Sequence, residues 1–371
     1  MKIVLFYHSL LSDWNHGNAH FLRGIATELI QRGNKVTIYE PQDSWSLKNL
    51  LSEHGQSAIN DFHTYYPLLN SIRYSSSLDL SEALAEADLV IVHEWNDHKL
   101  VKQIGEEKKR AGFKLLFHDT HHRIVTENES MRNYDLSNYD GVLAYGEVIR
   151  QLYLKDGWAK RAWTWHEAAD TNVFKPVDTT LAAGDLVWIG NWGDDERTKE
   201  LHEFLIQPVK KLGLKAKIYG VRYPAEALSA LQDAGIEYGG WLPNYKVPEV
   251  FSTYRLTVHV PRGPYVMSLP GIPTIRPFEA LACGIPMVSS PWNDSENLFT
   301  VAKDFEMVNS GEEMTKTIYR LLKDEQACTE LTTHGLHTIH EKHTCSHRVD
   351  ELFSICDELG ITNYSTQRIA S

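Results

Sequence analysis

The stretch that most limits how this chain can fold is residues 270–290, Pro-Gly-Ile-Pro-Thr-Ile-Arg-Pro-Phe-Glu-Ala-Leu-Ala-Cys-Gly-Ile-Pro-Met-Val-Ser-Ser. Its punctuation reads as loop, helix, turn and buried strand. Pro270, Gly271 and Pro273 keep the first part extended or turned. Pro277 fits the first turn of a helix, where its missing N–H costs nothing. Residues 278–283 are compact and helix-prone, and Gly284 suits the left-handed residue that ends a helix. Residues 286–290 have the pattern of a short buried strand.

A helix that starts at the end of such a loop presents unpaired N–H groups and partial positive charge, which attract phosphate. Arg276 adds a full charge there, and Glu279 places a carboxylate on the first turn that can accept hydrogen bonds from a sugar diol. The plainer reading of the same pair is a carboxylate favoured by the helix dipole and a surface arginine. The segment resembles the donor-nucleotide signature of group-1 type glycosyltransferases of the GT-B fold, a Pro-x-Glu-Ala-x-Ala-x-Gly-x-Pro-Val run. The match lies at Pro277, Glu279, Ala280, Ala282, Gly284 and Pro286. The resemblance implies that Glu279 holds the ribose of a sugar nucleotide. It also implies that Thr274, Ile275 and Arg276 lie at the helix terminus facing the diphosphate. That family often carries a second glutamate about two helical turns earlier. The position here is Gly271, so neither the transferred sugar nor a retaining mechanism is implied.

The chain has 371 residues, enough for two ordinary domains, and its 42% hydrophobic and 23% charged content is that of a globular protein. A net charge of -12 argues against general nucleic-acid binding, which needs concentrated Lys and Arg, but leaves a nucleic-acid acceptor open. The four cysteines, Cys283, Cys328, Cys345 and Cys356, have no metal-type spacing and are expected as reduced thiols in a cytoplasmic protein. No segment is long and apolar enough for a transmembrane helix, and the first residues read as a strand rather than a leader.

Residues 2–7 form a continuous apolar run, the pattern of a parallel strand buried on both faces. A polar loop, a helix over 19–32 ended by Gly33, and a strand over 35–40 follow, so a parallel α/β sheet is predicted. The loop lacks the glycine triplet of a dinucleotide fingerprint. It resembles the opening of a GT-B first domain. Its Trp-Asn-His-Gly-Asn-Ala-His run at 14–20 is similar to the loop of CgeB-type glycosyltransferases, which would put His16 and His20 at the acceptor cleft. Core packing or capping in the first helical turn is the alternative for either histidine. Residues 42–80 read as helices and loops with scattered aromatics such as Trp45. Buried strands are expected at 88–93 and 113–118. The second ends in His118-Asp119-Thr120-His121-His122, whose spacing fits no standard zinc pattern. It reads as a lining at the carboxyl end of a strand, with Asp119 or a nearby histidine as a candidate general base and helix capping as the alternative.

Residues 175–184 are small, polar and unpatterned, as a linker between domains should be. A second α/β unit starts at 185, and Gly190 and Asn191 turn the chain out of its first strand. A helix is expected from about 196 to 212. Arg197 in its first turn and Arg222 in the next strand-end loop are candidates for phosphate, with solvated surface arginines as the alternative. The reading is therefore α/β, a GT-B arrangement of two Rossmann-like domains with parallel sheets facing across a cleft. Residues 1–174 form the acceptor-side domain and 185–344 the nucleotide-sugar domain. Residues 345–371 supply a helix that crosses back to the first domain, then a loose tail. The expected activity is a metal-independent transfer of a hexose or pentose from a nucleotide sugar to an acceptor hydroxyl, without a cofactor. Asp119, His20 and His16 are the catalytic candidates. Gly190, Asn191, Arg197, Arg222, Thr274, Ile275, Arg276 and Glu279 are the donor-binding ones. A sugar-nucleotide epimerase or phosphorylase, or a non-catalytic glycan-binding protein, are the alternatives on the same architecture.

Overall fold

The computed structural model describes residues 1–75, 77–155 and 157–362. The chain divides into two compact units, one of residues 1–170 together with the segment from Cys345 onward, the other Thr171–Thr344. Each unit is built on one parallel sheet. The first holds β1 (Lys2–Phe6), β2 (Lys35–Pro41), β3 (Ile72–Tyr74), β4 (Leu89–His93), β5 (Lys114–Asp119), β6 (Gly141–Ala144) and β7 (Ala162–Thr164). Their order is β3-β2-β1-β4-β5-β6-β7. The second holds β8 (Gly184–Ile189), β9 (Ala216–Tyr219), β10 (Glu237–Tyr238), β11 (Tyr254–His259), β12 (Met287–Ser289) and β13 (Glu306–Met307), in the order β10-β9-β8-β11-β12-β13. Both orders start at the centre, run to one edge, then cross back and run to the other. The carboxyl ends of β1 and β4, and of β8 and β11, therefore flank a topological switch point, where ligands bind in open α/β sheets.

The central strands are mainly apolar because both faces are covered. All of β4 is buried, and so is β1 beyond Lys2. Pairing is in parallel register, Val4 opposite Val90 in the first sheet and Leu256 opposite Leu186 in the second. Among the described residues no helix is long and apolar enough to cross a membrane.

Two helices depart from expectation. The one after Asn191 starts at Thr198, with Arg197 as its cap residue, and widens over His202–Ile206 before continuing as Gln207–Leu212. Pro208 explains the widening. It has no N–H to give and its ring clashes with the carbonyl four residues back, which a wider turn relieves. The key helix runs Ile275–Ala282, so Pro277 is its third residue and still spends no N–H that the helix needs.

The C-terminal helix, Cys345–Glu358, packs within the first unit. Trp165 Nε1 donates to the Arg348 carbonyl at 2.8 Å, and Arg32 Nη2 donates to the Ser346 carbonyl at 3.0 Å. Gly24, in the helix Ala19–Gln31, permits the approach. A Cβ there would lie 2.5 Å from Cys345 Sγ and 2.7 Å from Asp170 Cβ. Gly24→Ala is expected to destabilise the first unit by about 1–3 kcal/mol, read as a lowered thermal midpoint. The loose tail expected after Gly360 lies, from residue 363, outside the described residues.

Candidate active site

In the second unit the switch point collects positive charge. Arg197 donates from Nη1 to the Val260 carbonyl at 2.6 Å and from Nη2 to the Asn191 carbonyl at 2.5 Å. Its Nε reaches the Trp192 carbonyl at 3.4 Å, and the guanidinium lies 5.0 Å from the Trp188 ring. One side chain thus ties the loop after β8 to the loop after β11. Arg262, in that second loop, closes on the same place. A Cβ on Gly193 would meet Arg197 Nε at 3.2 Å and Arg262 Nε at 3.6 Å. Gly193 has φ 98°, a conformation that favours glycine, and a side chain there would have to push the two arginines aside. Burial, then the nearby Arg262 and Arg276, hold the Arg197 guanidinium below its ordinary pKa. These three cations share one corner of the unit, and an arriving anion would relieve their repulsion.

His259, the last residue of β11, is buried with Nδ1 2.9 Å from Ser289 Oγ. Burial, Arg197 and Arg276 push its pKa down to about 3, so its imidazole is uncharged at neutral pH. Asn191 Oδ1 accepts from the Val221 N–H at 2.9 Å, and a Cβ on Gly220 would lie 2.1 Å from the Gly190 carbonyl oxygen. The loops after β8 and β9 therefore touch backbone to backbone.

The loop into the key helix is bent at two points. Thr274 takes φ 64°, a conformation rare for a β-branched residue, and costs about 1–3 kcal/mol of strain. Ile275 and Glu279 then turn inward and are buried. Arg276 pairs with Glu279 one turn on, with 19% of the arginine side chain exposed against 1% of the glutamate's. The second bend is Gly271, at φ 89°, where a Cβ would lie 2.6 Å from Glu296 Oε1. Glu296, from the loop after β12, thus places its carboxylate beside Gly271, whose N–H donates to the Asn293 carbonyl at 2.7 Å. Arg222 follows Val221, whose N–H donates to Asn191, and its side chain turns to the surface. It adopts φ 59° and pairs with Asp194 Oδ1 at 2.9 Å, both side chains at least half exposed.

In the first unit His16, His20 and Asp119 are all buried. His20 Nε2 accepts from the Asp170 N–H at 2.7 Å. Asp119 accepts from Tyr153 Oη at 2.8 Å and from the His121 N–H at 3.2 Å. Burial raises its pKa to about 6, against those two hydrogen bonds and Arg123. His16 packs edge-on between His8, at 5.6 Å, and His93, at 6.1 Å. Burial, then His8 and Arg23, hold it uncharged. Among the described residues no three His, Cys, Asp or Glu side chains are grouped as a metal site would need.

Sequence reasoning passed over Arg262, His259 and Glu296. Arg262 follows a strand end just as Arg222 does, so the same rule points to it. Glu296 has no local signal, because its contact with Gly271 is tertiary.

Residues 197–354 match the family model described as glycosyl transferase-like. No curated protein matches the chain. Among solved structures, HepE from Anabaena, in complex with UDP and glucose, is 14% identical with a TM-score of 0.68, covering 96% of this chain and 99% of its own. An α-glucosyltransferase in complex with UDP is 12% identical with a TM-score of 0.70, covering 96% and 100%. Sucrose-phosphate synthase from Thermosynechococcus elongatus is 14% identical with a TM-score of 0.66, covering 97% and 99%. With two Rossmann-like parallel sheets, likeness to these structures over nearly the whole chain and a glycosyl transferase-like match over 197–354, the protein has the GT-B fold of glycosyltransferases.

Proposed function

We propose that the protein transfers a hexose or pentose from a nucleoside-diphosphate sugar to an acceptor hydroxyl, acting in the cytoplasm and without a metal ion. Within the fold we assign it to the CgeB-like branch, on the loop Trp14 to His20. The observation that carries the reading is the convergence of Arg197, Arg262 and Arg276 beside the buried Glu279 at the β8–β11 switch point. The bond from sugar C1 to the diphosphate oxygen breaks, C1 bonds to the acceptor oxygen, and the nucleoside diphosphate leaves. Charge builds on the departing diphosphate, and fixed guanidinium groups stabilise it there, as a metal ion does elsewhere. Glu279 accepts from the ribose hydroxyls once Arg276 turns to phosphate. UDP bound to solved structures of this fold supports a uridine nucleotide as the first ligand to try.

The acceptor's proton needs a base. Of the three candidates in the first unit we assign it to His16, an uncharged imidazole whose Nε2 has no hydrogen-bond partner. His20 Nε2 and the Asp119 carboxylate are already bonded. Glu296 standing at Gly271 supports catalysis over a glycan-binding role, since it returns a carboxylate to that corner. Glu279→Ala is expected to weaken UDP binding about 10- to 100-fold by titration calorimetry, the loss of a charge-assisted hydrogen bond. Parent-like affinity in a folded variant overturns the assignment.

A further inference from the structure

We propose that the carboxyl edge of the first sheet is a saccharide-binding wall, built on Trp45 over His8, that receives the ring of an acceptor sugar. Its role as an acceptor site rests on the transferase reading; the saccharide chemistry rests on the wall itself.

The wall stands at the first switch point, where His8 follows β1 and Trp95 follows β4. Trp45 opens the helix Trp45–His54, fixed by Ser44 Oγ accepting from the Leu47 N–H at 3.3 Å. His8 lies against this indole, 4.7 Å between ring centres and tilted 34°. Trp95 stands across it at 6.4 Å and 73°. The Trp45 ring is thus backed on one side, walled by a second indole and still 37% exposed. A large apolar face kept open at a ligand-binding edge is a surface for another flat, weakly polar face.

Polar groups lie just beneath. His8 Nε2 and His16 Nε2 are both buried without a hydrogen-bond partner, and the rings are 5.6 Å apart. Burial pushes the His8 pKa down to about 4, so it can accept a hydrogen bond at neutral pH. A pyranose matches this pairing. Its axial C–H bonds carry partial positive charge toward an indole face, which is negative, and its equatorial hydroxyls point past the ring edge to groups such as these.

A stacked nucleobase would use the same face, but nucleic acid also needs uncommitted cations along its backbone. Arg123, 4.5 Å from the Trp95 ring, is paired with Glu94 and Glu127, and Arg23, close to His16, is paired with Asp13 at 2.9 Å. The chain as a whole carries a net charge of -12. These favour a neutral sugar.

The test is calorimetric titration of the full chain with maltotriose, cellotriose, chitotriose, a short single-stranded oligonucleotide and UDP. At least one trisaccharide is expected to bind. Trp45→Ala should weaken it about tenfold, Trp45→Phe should restore most of it, and both variants should bind UDP within about twofold of the parent. The proposal is overturned if a parent protein that binds UDP binds none of the sugars. It is also overturned if the oligonucleotide alone binds the wall, or if Trp45→Ala binds sugar as the parent does. In those cases the transferase reading stands. Trp45-dependent sugar binding without UDP binding leaves the wall in place and removes the transferase reading instead.

Discussion

Moving the protein from pH 6.5 to pH 5 is expected to lower its thermal midpoint steeply, by ten degrees or more on the order of magnitude set by the buried histidines. His8, His16, His93 and His118 in the first unit, and His259 in the second, all have depressed pKa values with burial as the largest cause. His8 is held to about 4 and His118 and His259 to about 3. An unfolded histidine takes up its proton near pH 6.5, whereas these do so only well below it. The unfolded state therefore binds more protons across this range, and stability falls as pH falls. Each such histidine loses about 1.5 kcal/mol between pH 6.5 and 5. Two carboxyls act the other way. Asp119, raised to about 6, and Glu94, raised well above its ordinary value, hold protons in the folded state, so they favour folding as pH drops. Five groups outweigh two across this range. The measurement is a series of thermal melts in one buffer ionic strength. A midpoint that stays level or rises toward pH 5 would sink the account.

That sensitivity could not be read in the sequence, although every one of those histidines is visible there. His93 and His118 end or nearly end apolar strands, and strand polarity alone does not say whether the next layer covers them. The sheets themselves were legible for a simple reason: strands buried on both faces, such as β4 and β5, print their burial directly as runs of consecutive apolar residues, 89–92 and 115–117. The edge strands were not. β3 is three residues long with Ile72 half exposed, and β13 is the two residues Glu306–Met307. Neither is long or apolar enough to leave a pattern.

The corner formed by Arg276 and Glu279 could be read locally, because a helix start, a proline and two charges all lie within one turn. Arg222 and Arg197 looked alike from sequence, each an arginine just beyond a strand. They separate only in three dimensions. Arg222 pairs with Asp194 at the surface, while Arg197 is drawn in by three carbonyls contributed from positions 191, 192 and 260. Glu296 lies further still from any local rule. It matters through the absence of a side chain at Gly271, and two residues twenty-five positions apart advertise nothing to each other along the chain.

Arg197→Ala is expected to cut the turnover of nucleotide sugar by about a thousandfold, the scale of losing one fixed donor to a developing anion. The reason lies in how the guanidinium is held. Its three bonds to carbonyl oxygens use three of its five N–H donors and bring no negative charge, and among the described residues no carboxylate hydrogen-bonds it. Arg262 and Arg276 add repulsion. Glu196, which also pairs with Arg262, offsets this only in part, so geometry keeps the charge in place and open to an arriving anion. Lysine cannot substitute, because a compact ammonium on a flexible stem cannot span the Asn191 and Val260 carbonyls as a planar fork does. Arg197→Lys should therefore stay close to Arg197→Ala in turnover, and both should lower the thermal midpoint of the second unit by freeing the loops after β8 and β11. Arg222→Ala, by contrast, removes only a half-exposed ion pair and should change stability by less than about 1 kcal/mol. The decisive comparison is kcat/KM alongside UDP affinity for all three variants. A folded Arg197→Lys enzyme with parent-like kcat/KM would mean that the arginine fastens loops and leaves the diphosphate to other groups.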